Sequence, residues 1–293
     1  MKYFLVLFAA IIFMSCISKN AQENKADTSI ANLIKTEKVV LIENKIFDEA
    51  IDFTTYLPKN LIGDNIYQVD VKSSITFKNC VFNETVTAYH STDEATILTA
   101  FYSNVTFIGC KFNNDVSLRA ATIAGRLDLS KSKFFGKSSF EEMSCAQSAY
   151  FNDCYFDKEV GLQNSYFAQK VNFLNAQFNE TVSFQSTVFN GEAQFSVCKF
   201  YGYTDFSLVD CRGNVFFNYA QFHERADLSN ANFARDVNYS STLNKMTTFE
   251  NSRFLGKTTF IKSEVSESLN LEKCFFLLGQ PNLDFIKSEK LKL

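Results

Sequence analysis

Large apolar side chains recur at a fixed interval along most of this chain. In steps of 11 from Phe107, every position through Tyr239 is Phe, Leu or Tyr, and a second series from Phe112 through Phe233 is almost as uniform. The two series interleave at spacings of five and then six residues, and a small or β-branched residue usually stands two positions before each member. Residues i−2 and i lie on one side of an extended segment, so the pattern predicts short strands with one buried face.

A period of 11 also equals three turns of an α-helix, so a helical interpretation has to be tested against composition. Asn, Gly, Thr, Ser and Phe dominate the repeat, whereas the residues that favour helices are sparse. Polar turn formers separate the apolar pairs. The pattern therefore favours a β-solenoid that turns sharply every five or six residues.

The repeat divides the chain into segments. We assign residues 40–276 to one solenoid, with irregular stretches near 54–76 and 89–100 that we expect to be loops or lateral excursions. The polar segment 17–39 is interpreted as a flexible tether and possible N-terminal cap. Because the ends of a stacked core must be covered, residues 277–293 are interpreted as the C-terminal cap.

Two 11-residue units would form one turn of about 22 residues. Anchors 22 apart, such as Phe173, Phe195 and Phe217, would then stack at about 4.8 Å, the strand spacing of a sheet. A single slip shortens the pattern near Tyr239, and we take Leu243 as the next anchor.

Several short motifs resemble pentapeptide repeats: ADLSN at 226–230, TDFS at 204–207 and VNF at 171–173. The resemblance covers most of the chain, although every second unit has six residues and Phe largely replaces Leu. It implies an all-β fold, a right-handed quadrilateral parallel β-helix with one repeat on each side and about 22 residues per turn. A solenoid whose turns have three sides is the alternative.

The first 16 residues have the pattern of a targeting segment. Lys2 precedes an apolar run, Tyr3–Met14, that is too short to cross a bilayer and typical of a signal peptide. The run ends in Phe-Met-Ser before Cys16, which resembles the bacterial lipoprotein box, with Phe13 where that box usually has Leu.

The lipoprotein resemblance implies that Cys16 is lipidated and becomes the new N-terminus. An ordinary signal peptide with an incidental Cys is the alternative. Ile17 follows Cys16, where an Asp would indicate retention in the inner membrane. We therefore expect a lipid-anchored protein of the bacterial cell envelope, at the outer membrane, on either side of it.

Seven further cysteines follow Cys16, an odd number that argues against a complete disulfide framework. All seven occupy repeat positions that should face inward, where Cys acts as a small apolar residue. Only Cys80 and Cys110 could become neighbours, if the stretch between them bulges out, and their pairing stays open.

Catalytic and metal-binding signals are sparse. His90 and His223 lack the companions of a zinc site, so we predict no metal or cofactor. Asp205 and Asp227 are 22 apart and should be neighbours, but Asp before the anchor belongs to the repeat motif and suits turns. The net charge of −3 gives no reason to expect a nucleic-acid partner.

One group of exposed aromatic residues is a candidate contact patch. Tyr201 and His223 would be stacked neighbours just after the second anchor of successive turns, and Phe216 precedes an anchor and should also point outward. Exposed aromatic residues can mark a binding surface.

These features predict a non-enzymatic, membrane-anchored envelope lipoprotein that acts as a rigid scaffold or interaction solenoid for an envelope protein. A glycan-binding or glycan-active β-solenoid is an alternative. A DNA-mimic inhibitor of topoisomerase, a role that the pentapeptide-repeat resemblance brings into consideration, conflicts with the signal segment and with the small net charge.

Overall fold

The computed structural model describes residues 29–240 and 242–293. They form a parallel β-solenoid of about nine turns with about 22 residues in each turn. Within the described residues, the helical segments are the α-helix Ile30–Thr36 and a single 3-10 turn, Ser288–Lys290. The predicted all-β solenoid of the pentapeptide-repeat type is confirmed.

Each regular turn contributes one strand to each of four faces, which the chain visits in the order I, II, III and IV. Face I holds Val39–Glu43, Ser74–Lys78, Val105–Ile108, Leu127–Asp128, Ala149–Tyr150, Val171–Asn172, Ala193–Gln194, Val215–Phe216, Val237–Asn238 and Thr258–Thr259. Face II holds Ile46–Phe47, Val81–Phe82, Lys111–Phe112, Lys133–Phe134, Tyr155–Phe156, Gln177–Phe178 and Lys199–Phe200.

Face III holds Ile51–Asp52, Val86–Thr87, Val116–Ser117, Ser138–Ser139, Val160–Gly161, Val182–Ser183, Thr204–Asp205 and Leu291–Lys292. Face IV holds Ile66–Val71, Thr96–Phe101, Thr122–Ile123, Ser144–Cys145, Tyr166–Phe167, Val188–Phe189, Asp210–Cys211, Asn232–Phe233, Arg253–Phe254 and Phe275–Phe276. Three longer strands run through both face II and face III: Gln221–Asp227, Leu243–Thr248 and Glu264–Asn270.

The buried anchors form continuous ladders from turn to turn. On face I the rings of Phe173 and Phe195 stack with centroids 5.1 Å apart, and Phe195 stacks on Phe217 at 5.2 Å. On face II, Phe178 and Phe200 stack at 5.1 Å with planes 3° apart. Parallel pairing fixes the strand spacing, and near-parallel rings then pack offset against their neighbours. The predicted ladders are confirmed.

The alternation of five and six residues follows from two kinds of corner. In the five-residue units, the second residue after the anchor has a left-handed backbone, as at Lys131 (φ 62°) and Asn164 (φ 59°). The six-residue units place Gly at the equivalent position in several turns. A Cβ on Gly213 would collide with the carbonyl oxygen of Gly191 in the preceding turn, so this corner requires close backbone approach.

The position of the slip differs from the prediction, which was wrong about Leu243. Asn244, not Leu243, pairs with the anchor Phe222, and the register shifts immediately after it. Leu243 points outward and is 43% exposed, whereas Asn244 is buried. The missing residue therefore lies between faces II and III, where Phe249 follows Asn244 by five positions, one fewer than the six positions from Phe222 to Leu228 in the preceding turn.

The two irregular stretches are antiparallel hairpins that project from the corner before face IV. Lys59–Gly63 pairs with Ile66–Val71, and Tyr89–Ser91 pairs with Thr96–Phe101. The second strand of each hairpin rejoins face IV and buries its last residue in the core. The insertions thus leave the stacking of the turns intact.

Both ends of the described solenoid are partly covered. At the first turn, the helix Ile30–Thr36 buries Ile30 and Ile34, and the Ser29 hydroxyl accepts a hydrogen bond from the Asn32 amide. At the last turn, Leu291–Lys292 pairs with Glu264–Asn270, and Ile286 is buried against the core.

The seven described cysteines are free thiols, and all except Cys274 are buried. Cys80 and Cys110 are neighbours on face II because the strands that follow them pair in register. Burial raises the pKa of the Cys110 thiol to about 12, and likewise that of Cys145 to about 12. At neutral pH these thiols are protonated, as expected for residues that serve as small apolar side chains.

Two adjacent phenylalanines test the ladder directly. Phe217 is buried, whereas Phe216 points away from the core and is half-buried. We expect Phe217→Ala to lower the free energy of unfolding by about 3–5 kcal/mol because it leaves a cavity in the stack. Phe216→Ala is the matched control and should cost less than about 1 kcal/mol. Chemical denaturation followed by circular dichroism measures both, and equal losses would contradict the ladder as the main source of stability.

Candidate contact surface around Tyr201 and His223

Tyr201 and His223 occupy the position that follows the face II anchor in two successive turns. Since Phe200 and Phe222 point inward, the residue after each points outward at the corner towards face III. The two rings stack with centroids 4.4 Å apart and planes 13° apart. Tyr201 is 40% exposed, so this pair presents an aromatic surface to solvent.

Phe135 lies in the same column, but four turns away from His223. It contacts the ammonium of Lys111, which is 5.1 Å from the ring centroid, and the ring of Tyr155 at 5.8 Å. These contacts form a separate cluster. Asn179 comes between the clusters and donates a hydrogen bond to the hydroxyl of Tyr155.

Phe216 does not join the pair. It lies on face I between Gln194 and Asn238, its register neighbours in the adjacent turns. Face II separates face I from the corner that carries Tyr201 and His223. Phe216 points outward as expected, but the sequence pattern did not show that it lies on a different face from Tyr201 and His223.

A shallow groove of about 550 Å³ begins at His223 and continues over the last turns of face II. Sequence reasoning missed it because it arises where the register slips and the corner between faces II and III straightens into long strands. Its walls combine amide, carboxylate, ammonium and aliphatic groups, from Gln221, His223, Leu243, Lys245, Glu264, Ser266, Glu267 and Lys290.

The charged groups beside the groove are partly paired. The ammonium of Lys245 lies 2.7 Å from a carboxylate oxygen of Glu224, and this hydrogen bond raises the pKa of Lys245 above its ordinary value. The ammonium of Lys290 donates to the carbonyl oxygen of Val265 at 2.7 Å. Both ammonium groups are therefore held in place at the edges of the groove.

Beneath the groove, a polar network replaces one rung of the aromatic ladder. The side-chain oxygen of Asn244 accepts from the hydroxyl of Tyr239 at 2.6 Å and from that of Thr247 at 3.2 Å. Its amide donates to Thr242 and to the carbonyl oxygen of Glu264. Burial raises the pKa of Tyr239, which keeps its hydroxyl a donor. The network satisfies Asn244 fully, so its role is structural.

The carboxylates of Asp205 and Asp227 stabilise backbone turns. Asp205 and Asp227 pair in register on face III, and each accepts a hydrogen bond from a backbone amide two residues later, at 2.8 and 3.0 Å. Asp227 also forms an ion pair with Arg225 at 2.7 Å.

His90 lies in the second hairpin, where its backbone pairs with that of Ile97. Among the described residues, no three His, Cys, Asp or Glu side chains are placed to hold a metal ion.

The fold is a parallel β-solenoid of the pentapeptide-repeat type. The family model for pentapeptide repeats, nine copies, matches residues 195–238, a segment that spans two turns and includes Tyr201, Phe216 and His223. Comparisons with curated proteins and with solved structures gave no match. In the part of the chain that the structure describes, no helix has the length and apolar character to span a bilayer.

Tyr239 and Asn244 offer a test of the polar network. Asn244→Leu should lower the free energy of unfolding by about 1–3 kcal/mol, because the buried Tyr239 hydroxyl loses its acceptor. In Asn244→Leu/Tyr239→Phe, that hydroxyl is absent and more than half of the loss should be recovered. Denaturant titration of both single variants and the double variant measures the coupling, and strictly additive losses would contradict the network.

Proposed function

We propose that this protein is a non-enzymatic, lipid-anchored lipoprotein of the bacterial outer membrane whose solenoid is a rigid scaffold that binds an envelope protein. The observation that carries the proposal is the single hydrophobic core, which extends from Ile30 to Ile286. With about nine turns at about 4.8 Å each, the core supports a rod of about 43 Å. Such a body can hold a partner at a defined distance from the membrane.

Surface charge also supports a scaffold rather than a mimic of nucleic acid. Lysines and glutamates one turn apart pair along the rod, as between Lys137 and Glu159 at 2.9 Å and between Lys170 and Glu192 at 2.7 Å. A DNA mimic needs a strongly acidic face. Alternating charge on neighbouring turns is instead suited to solubility.

The anchor is tested by metabolic labelling of bacteria that express the full chain with a clickable palmitate analogue. We expect label on the wild type and on Cys274→Ala, the matched control at a partly exposed cysteine, and none on Cys16→Ala. In cell fractionation, we expect the wild type in the membrane fraction and Cys16→Ala outside it. Unlabelled wild type, or equal label on Cys16→Ala, would contradict the proposal.

Glycan binding is a second candidate, favoured by the exposed Tyr201–His223 stack at the start of a polar groove. A ring face next to carboxylate, amide and ammonium groups suits a sugar, whose CH face packs on aromatic rings while its hydroxyls form hydrogen bonds. Glu264, Glu267 and Lys245 would supply those hydrogen bonds.

Glycan binding is tested on an array of envelope polysaccharides, with titration calorimetry of any ligand found. Tyr201→Ala and His223→Ala should each weaken binding about three- to tenfold, the effect of losing one ring contact. Phe135→Ala, in the same column but in the separate cluster, should bind like the wild type. Equal binding by all the variants would contradict this site.

A further inference from the structure

The first turn of the solenoid exposes aliphatic side chains on several faces. Val39 and Leu41 on face I, Ile46 on face II, and Leu61 and Ile62 on the first hairpin are each between 54% and 66% exposed. We call these five residues the N-terminal collar. Scattered exposed apolar residues are normal, but a group of them on neighbouring strands can mark a surface that contacts a partner or a membrane.

The collar differs from the turns that directly follow it on face I, because those turns place polar residues at the outward position of Leu41. Leu41 is aligned through the face I register with Thr76, Thr106 and Asp128. The outward position that holds Leu41 in the first turn is therefore polar in the three turns that follow it.

On face II, Ile46 is aligned through Val81 with Lys111 and Lys133. Leu61 and Ile62 belong to Lys59–Gly63, the outermost strand of the face IV sheet at this end of the rod. The exposed apolar residues of the collar are therefore spread around the end of the rod and do not follow one face.

The chain between the collar and Cys16 is short. Ser29 follows Cys16 by thirteen positions, and a fully extended chain of that length spans at most about 45 Å. A lipid on Cys16 would therefore keep the first turn within about 45 Å of the bilayer, a distance that lets the collar reach it.

We propose that the N-terminal collar inserts into the interfacial layer of the lipid bilayer, so that the rod stands on the membrane rather than hanging from a tether. This inference rests on the lipid anchor proposed above. Apolar side chains at an interface enter to about 5–10 Å, the boundary of headgroups and acyl chains. Lys45 and Glu43 lie beside the collar, so its charge is mixed and insertion should not require anionic lipid.

The chain contains no Trp, so a single introduced Trp reports its own surroundings without background. The full chain, processed in bacteria, is reconstituted into phosphatidylcholine vesicles with or without brominated phosphatidylcholine. Ile62→Trp carries the probe in the collar. Leu278→Trp is the matched control, a 68% exposed aliphatic position near the other end of the rod. Leu41→Trp is a second collar probe should Ile62→Trp fail to fold.

We expect emission of Ile62→Trp to shift to shorter wavelengths on vesicles and to be quenched about twofold by the brominated lipid, as for a side chain at interfacial depth. Leu278→Trp should show neither effect. If the protein floats with the vesicles but Ile62→Trp is not quenched, collar insertion is contradicted and the lipid anchor is supported. A shift to shorter wavelengths without quenching would contradict insertion and indicate that the collar contacts a second copy of the protein. Failure of both flotation and palmitate labelling would overturn the anchor and the collar together.

Discussion

The structure depends on the requirement that each turn place the same kind of side chain over that of the turn before. Parallel pairing sets the separation of neighbouring turns at about 4.8 Å, which is close to the distance at which offset aromatic rings pack. The rings of Phe184 and Phe206 stack at 4.4 Å and those of Phe156 and Phe178 at 5.0 Å. Hydrogen bonding and ring packing therefore favour the same spacing. Any change in turn length has to be absorbed at a corner or in a hairpin.

This constraint explains which features could be predicted from the sequence. Phe173, Phe195 and Phe217 were placed correctly because a buried ladder repeats in sequence with the period that it has in space. Leu243 was misassigned because an apolar residue beside a polar one is the natural choice for an anchor. The burial of Asn244 depends on hydroxyl partners that only the folded chain brings together. The hairpins have no period, so their strands gave no comparable signal.

The surface was harder to predict than the core for a related reason. Spacing shows which residues point outward, but two outward residues belong together only if they share a face or a corner. Tyr201 and His223 are 22 apart and therefore stack, whereas Phe216 is on another face. The groove beside His223 depends on the straightened corner, which spans three successive turns and includes the turn that loses a residue after Asn244. The buried network and the concave surface therefore lie at the same departure from the repeat.

A solenoid whose turns have nearly identical cores can acquire function only where its surface departs from the repeat. Two such departures lie at different heights on the rod: the collar around Leu41 and Ile62 in the first turn, and the groove at His223 in the last turns. Between them the outward positions are largely polar and joined by ion pairs between turns, as between Lys158 and Glu180 at 3.0 Å. If the first departure faces lipid, the second is held several turns above the bilayer, where a partner or a glycan can reach it. The number of regular turns between them would then set that height, which gives the uniform middle of the rod a function as a spacer.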